Sequence, residues 1–245
     1  MRRPKRLCLV AALLLAAGLV CSHAQDRFAS ERQRMVRDIE HMQLAVSGET
    51  GQRALDPKVM AVMGKVERHR FVPEGLQSEA YDNRPLPIGH GQTISQPYIV
   101  ALMTDLMRTK PGHRVLELGT GSGYQAAVLA DLVKEVYSIE IIEPLGKQAA
   151  QRLTQLGYRN VQVKVADGYY GWPEHAPFDS IIVTAAASHV PPALVRQLKP
   201  GGRIVIPVGT SFLTQNLMLV EKQADGSVTT RQILPVIFVP LTGSH

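Results

Sequence analysis

Between residues 25 and 76 the chain is polar, with apolar residues recurring at helical spacing: Met35, Ile39 and Met42, then Val59, Met60, Met63 and Val66. That period predicts two or three helices, with the methionines reading as a packing face rather than a binding surface. Gly48 to Gly51 and Asp56-Pro57 read as turns. From 80 to 96 the pattern is lost. Pro85, Pro87, Gly89 and Gly91 and the polar run 90–96 predict an ordered loop, after which Pro97 opens a helix running through Leu102 and Leu106 to about Thr109. Beyond the turn at Lys110-Pro111-Gly112, short apolar runs at 114–118, 136–140, 161–165, 180–184 and 203–207 alternate with helical patterns at 124–132, 143–156 and 192–198. Strands separated by helices imply crossover units, so the expected fold class is α/β: a doubly wound, mostly parallel sheet with helices on both faces, preceded by the N-terminal helices. The runs 216–221 and 233–239, joined through Asp225-Gly226, predict an antiparallel addition at the C-terminal end.

Composition narrows the partners. The net charge of +6 leans on Arg2, Arg3, Lys5 and Arg6, and without them 23 bases face 21 acids. That balance, with no later stripe of Lys and Arg among aromatics, argues against nucleic acid. The same basic start precedes an apolar run of 14 residues, 7–20, and the small-residue site Ser22-His23-Ala24. These are the parts of an export signal peptide, expected to span 1–24 and to send the protein to the periplasm or outside. A run of 14 falls short of the roughly 20 residues of a spanning helix, so no stable membrane anchor is expected. Cys8 and Cys21 both lie in this leader, which removes thiol and disulfide chemistry from the rest of the chain. The eight histidines show no ligand-like local pair, so no metal is expected. The remaining organisation is a helical segment, 25–80, and a catalytic domain, 81–245, forming one compact unit.

The chemistry gathers after the first predicted strand. Val115-Leu116-Glu117-Leu118-Gly119-Thr120-Gly121-Ser122-Gly123 runs from that strand into a helix, where glycines let the backbone approach a nucleotide-like ligand. The nicotinamide fingerprint places its third glycine one position beyond Gly123, where this chain has Tyr124. Glu140 ends the next strand, where a carboxylate can accept both hydroxyls of a ribose; that suits dinucleotides and S-adenosylmethionine alike. Glu117 stands just before the glycines, where it could face a cationic amino group. Asp167-Gly168 follow the third strand, where Asp167 could accept from an adenine amine.

The glycine loop with Glu117, Glu140 and Asp167 resembles that of class I S-adenosylmethionine-dependent methyltransferases. Arg70-Phe71-Val72-Pro73, Ala80-Tyr81, Pro85-Leu86-Pro87-Ile88-Gly89, Gly91-Gln92-Thr93-Ile94-Ser95-Gln96-Pro97, Ile182-Val183-Thr184-Ala185-Ala186 and Val239-Pro240-Leu241 together resemble the protein-L-isoaspartate O-methyltransferases, over about 66–242. The resemblance implies a Rossmann-like methyltransferase sheet and S-adenosyl-L-methionine as cofactor. It also implies an activity: methyl esterification of the free carboxylate of L-isoaspartyl residues in damaged proteins or peptides. The ester then closes to a succinimide without the enzyme and returns part of the damage to aspartate. Ser95 of the Thr-Ile-Ser motif is implied as the catalytic residue that orients the substrate carboxylate or the methyl group. Thr93, Ile94, Glu117, Gly119, Gly121, Gly123, Glu140, Ile141, Asp167, Gly168 and Thr242 are implied at the cofactor. Such enzymes usually work in the cytoplasm, the alternative to export here, and a monomer is expected.

The residues themselves support an anionic acceptor. A carboxylate, with a reference pKa near 4, is ionised at neutral pH and needs no general base. Thr184-Ala185-Ala186-Ala187-Ser188 after the fourth strand offers space without adding charge. The acceptor peptide is expected to lie extended in a groove along 88–92 and 207–210. Ser95 also stands where a helix cap would precede Pro97. Three other readings remain open: a methyltransferase for a small carboxylic acid, an exported protein that binds the cofactor without turnover, and, more remotely, a nicotinamide oxidoreductase.

Overall fold

The computed structural model describes residues 26–210 and 213–243; the expected leader, 1–24, lies outside the described residues. Helix α1 (Ala29–Ala45) buries Met35, Ile39 and Gln43, one face at a spacing of four. A single turn, α2 (Ser47–Thr50), ends on Gly51 at φ 73°. In α3 (Pro57–Lys65), Asp56 accepts from the Lys58 N–H and Pro57 fills the first turn, and Val59, Val62 and Met63 face inward. Two short 3₁₀ turns, Arg68–Phe71 and Glu74–Glu79, lead into the next segment.

The segment read as a loop is a small hairpin, β1 (Leu86–Gly89) and β2 (Gln92–Ile94), with Leu86 paired to Ile94. Strands of four and three residues are too short to show an alternating pattern, and Pro87 hides the first. The turn takes Gly89, His90 and Gly91 all through positive φ. Helix α4 (Pro97–Leu106) follows, buried on nearly every side.

The main sheet has seven strands in the order β5-β4-β3-β6-β7-β8-β9. Its members are β3 (Arg114–Leu118), β4 (Glu135–Glu140), β5 (Val161–Val165), β6 (Phe178–Val183), β7 (Leu198–Val208), β8 (Gln215–Lys222) and β9 (Val228–Val236). The first five in spatial order are parallel; β8 and β9 add on antiparallel. The crossover helices are α5 (Tyr124–Ala130), α6 (Glu143–Gln155) and α7 (Pro192–Gln197). Alternate strand residues feed two cores: Val115, Val136, Ile182 and Val205 pack with α1, α3, α4 and α5, whereas Leu116, Tyr137, Ile181 and Ile204 fill the opposite face. The N-terminal helices therefore share their core with one face of the sheet.

The sheet's far edge departs from the expected bounds. β9 begins at Val228, because 228–232 is an exposed edge whose polar side chains carry no apolar alternation. It ends at Val236, and the chain leaves the sheet at Ile237. The Ala186 N–H then donates to the Val239 carbonyl (2.8 Å), and the Leu241 N–H to that of Ala186 (2.7 Å). This places 237–242 across the carboxyl ends of the strands. From β3 the chain winds outward first through β4 and β5, then back through β6 and β7, so a switch point lies beside β3, where α/β sheets hold their ligands.

Candidate active site

The turn after β3 is built by positive-φ glycines at 119 (92°), 121 (53°) and 123 (88°). A Cβ on Gly119 would stand 2.5 Å from Thr184 Oγ1, the hydroxyl that donates to the carbonyls of Leu118 (3.0 Å) and Gly119 (2.7 Å). Thr184 thus pins the loop across the switch point. Gly119 and Thr120 N–H groups both donate to the Ile139 carbonyl (2.8 and 3.2 Å), and Arg152 Nη1 holds the Ser122 carbonyl (2.7 Å). Gly123 serves packing: a Cβ there would sit 3.2 Å from Leu153, so its absence lets α5 approach α6 closely.

The acids occupy different layers. Glu140 lies on the wall of the cleft; its oxygens accept from the main-chain N–H of Gly121 (2.8 Å) and Ile142 (2.9 Å). Glu117 lies beneath, wholly buried, and is tied to the surface of the cleft through a chain of hydroxyls. Ser138 Oγ donates to Glu117 Oε2 (2.6 Å) and lies 2.6 Å from Thr120 Oγ1. Glu117 Oε1 has no hydrogen-bond partner. Burial, with Glu140 nearby, outweighs the Ser138 bond and pushes its pKa up to about 8. Asp167 stands half-buried and caps the 3₁₀ turn Gly168–Tyr170 by accepting from the Tyr169 N–H (3.0 Å).

Two hollows meet above this floor. The first is lined by Thr93, Ile94, Ser95, Gly119, Gly121, Glu140, Ile141, Gly168 and Thr242 among the residues singled out from sequence, and by Gln125 and Thr184 besides. Glu117, Gly123 and Asp167 do not line it. The second, lined by Pro85, Gln96, Ile99, Thr214, Val236 and Phe238, differs from the expected groove along 88–92 and 207–210. The departure of 237–239 from the sheet creates it, which strand patterning does not foretell. Thr93, Ser95, Thr184 and Val239 border both hollows, so Ser95 stands at their junction.

Ser95 does not cap α4. The capping position falls on Gln96, which makes no side-chain cap bond, and the Tyr98 N–H is taken by Asn83 Oδ1 (3.0 Å). Sequence reasoning missed Asn83, Gln125 and Arg68. Thr184 carried a signal, as a polar residue closing an apolar strand.

The chain matches the family model described as protein-L-isoaspartate(D-aspartate) O-methyltransferase (PCMT) over residues 41–245. The chain belongs to this family. Among its relatives, a protein of Cupriavidus necator called protein-L-isoaspartate O-methyltransferase 1 is 65% identical over 99% of this chain and 94% of its own. One from Polaromonas sp., protein-L-isoaspartate O-methyltransferase 2, is 69% identical over 86% of this chain and 100% of its own. The fold is similar to a solved protein-L-isoaspartate O-methyltransferase (TM-score 0.74, 28% identity, 86% of this chain and 66% of that one). It is similar as well to a Plasmodium falciparum structure described as a complex with S-adenosyl-L-homocysteine (TM-score 0.69, 26% identity, 84% and 97%). The residues present fit the family's cofactor, S-adenosylmethionine. The loop exposes backbone where a Cβ on Gly121 would crowd Ile88 (3.3 Å), and Glu117, buried with one oxygen unpartnered, is a carboxyl whose ionisation a cation above it would favour. Among the described residues no group of three or more His, Cys, Asp or Glu could hold a metal, and no helix is long and apolar enough to cross a membrane.

Proposed function

We propose that this chain transfers a methyl group from S-adenosyl-L-methionine to the free carboxylate of L-isoaspartyl residues in damaged proteins and peptides, starting their repair through a succinimide. Family membership and the names of its relatives support the reaction. The observation that carries the acceptor class is the chemistry of the two hollows: among the described residues that line them, the only titratable carboxylate or amine is Glu140, whose oxygens already accept from main-chain N–H groups. With no general base beside Ser95 among the described residues, an acceptor must arrive ionised, which suits a carboxylate.

When bound, the cofactor supplies an electrophilic methyl group on a sulfonium. Gly119 and Gly121 would admit it close to the backbone, Glu140 would receive its ribose hydroxyls, and Asp167, next to the Gly168 that lines the hollow, would have to reach its adenine amine from outside that lining. Thr93, Ile94, Ile141, Gly168 and Thr242 would close around it, and Glu117, which holds its proton in the free chain at neutral pH, would ionise beneath a bound cation and balance its charge through Ser138 and Thr120. Ser95 orients the acceptor carboxylate at the mouth between the hollows, and the second hollow takes the flanking peptide. The catalytic contribution is alignment and exclusion of water. We further read 1–24 as an export leader; finding only uncleaved chain, and only in cytosol, on fractionation with an antibody against the folded domain would overturn that.

The decisive assay offers the purified chain labelled S-adenosylmethionine with matched isoaspartyl and aspartyl peptides. Base-labile label on the isoaspartyl peptide alone is expected. Cofactor binding without transfer to either peptide would sink the reading in favour of another acceptor or a binding role.

A further inference from the structure

Arg68 is wholly buried, and among the described residues no carboxylate pairs with it. Its Nε donates to the Ala80 carbonyl (2.7 Å) and its Nη2 to the Ser95 carbonyl (2.8 Å). The guanidinium stands over the Tyr124 ring, 4.8 Å from its centroid, and Nη1 has no hydrogen-bond partner. Desolvation pushes its pKa down to about 10, which leaves it charged at neutral pH.

A buried cation without a counter-ion is expensive, and a packed apolar side chain would serve stability better. What an apolar side chain lacks is the planar fork. A guanidinium can grip two carbonyls and lie on an aromatic face at once. Both grips matter to the cleft: Ser95 is where the hollows meet, and Tyr124 lines the first hollow at the start of α5, directly after Gly123. Local sequence ties neither segment to the other, since Ser95 and Tyr124 lie on separate elements.

We infer that Arg68 is a positioning residue, which fixes the Ser95 backbone against the head of the glycine-loop helix so that the Ser95 hydroxyl is held at the junction of the two hollows. The inference rests on the reading of Ser95 given above. It requires that Arg68 act through Ser95 and leave the cofactor's own contacts intact.

The test compares wild type, Arg68→Met, Arg68→Lys, Ser95→Ala and the Arg68→Met/Ser95→Ala double variant in the full chain. Methyl transfer to the isoaspartyl peptide, S-adenosylhomocysteine affinity and amide exchange are measured for each. Arg68→Met is expected to lose at least tenfold in kcat, to keep S-adenosylhomocysteine affinity within about threefold, and to speed exchange at 92–96 but not at 115–119. The double variant should turn over no more slowly than the slower single variant, because both changes remove one device. Arg68→Lys should recover part of the loss. If Arg68→Met fails to fold, Arg68→Lys decides: its ammonium keeps the charge without the fork, so a fall in kcat at unchanged affinity supports the inference, and an unchanged kcat overturns it. Multiplied losses in the double variant, or affinity falling in step with kcat, would show a general structural role and overturn it too. Should wild type fail to methylate the peptide, the function reading falls, and exchange at 92–96 alone then decides for or against Arg68.

Discussion

The two ends of the same parallel strands treat charge in opposite ways. At the amino ends, and on the antiparallel β8 beside them, acids have cations of their own: Lys199 Nζ lies 2.7 Å from Asp179, Arg203 Nη2 lies 2.5 Å from Glu221, and Arg114 Nε lies 3.2 Å from Glu135. At the carboxyl ends, Glu140 is held by main-chain N–H groups, and Glu117 keeps one oxygen with no partner. One end pairs its acids with cations within the chain and so contributes stability, although His113 Nδ1 and Arg114 Nε there make no hydrogen bond. The other leaves its electrostatics incomplete, at a cost in stability, and a cationic ligand would complete them.

Substitutions at the two ends should therefore separate stability from binding. The largest effect is expected at Gly119→Ala, where a positive φ and a Cβ 2.5 Å from Thr184 Oγ1 act together. Strain and displaced hydrogen bonds should cost about 3 kcal/mol in urea unfolding, and S-adenosylhomocysteine affinity should fall more than tenfold by calorimetry. Wild-type affinity in that variant would break the contrast.

Glu117→Gln should do the reverse to stability. The unfolded carboxyl ionises near the ordinary glutamate value of 4.5, whereas the folded one holds its proton to about 8. Across that window the folded chain binds a proton that the unfolded chain has lost, so stability falls as pH rises and the loss is complete above the folded value. Glutamine cannot ionise. The variant should match wild type at pH 5 and exceed it by at least about 2 kcal/mol at pH 9, while binding the cofactor less well. A wild type whose melting temperature shows no such decline would refute the assignment.

At the amino end, Asp179 is pushed up by burial, but the Arg114 N–H and the Lys199 ammonium outweigh this and hold its pKa below the usual range. Its contribution is present at neutral pH and is lost as pH falls through that lowered value. Asp179→Ala should cost about 1.5 kcal/mol and leave S-adenosylhomocysteine affinity unchanged; weakened binding would couple the two ends and spoil the comparison. Lys199→Ala, at a partly exposed pair, should cost less than about 0.5 kcal/mol, and less still in high salt.

Much of this was legible in the chain itself. The parallel strands and their helices follow from apolar periodicity, and the ligand loop from glycines at positions that need positive φ. The hairpin was not legible, because four- and three-residue strands interrupted by proline carry no period. Nor was the second hollow, which arises where the chain leaves β9 at Ile237. Asn83 gave no sign of capping a helix that starts 14 residues later, because the turn that joins them is tertiary.

The sequence by itself determined the succession of elements, the glycine turn and the supply of acids around it, since backbone preference and the burial of periodic apolar faces depend on near neighbours. Only the tertiary structure decided which acid lines the cleft and which lies beneath it, that Thr184 crosses to pin the loop, and that Arg68 reaches Ser95. Those outcomes depend on what burial removes from water, and on which donors distant strands then bring within reach.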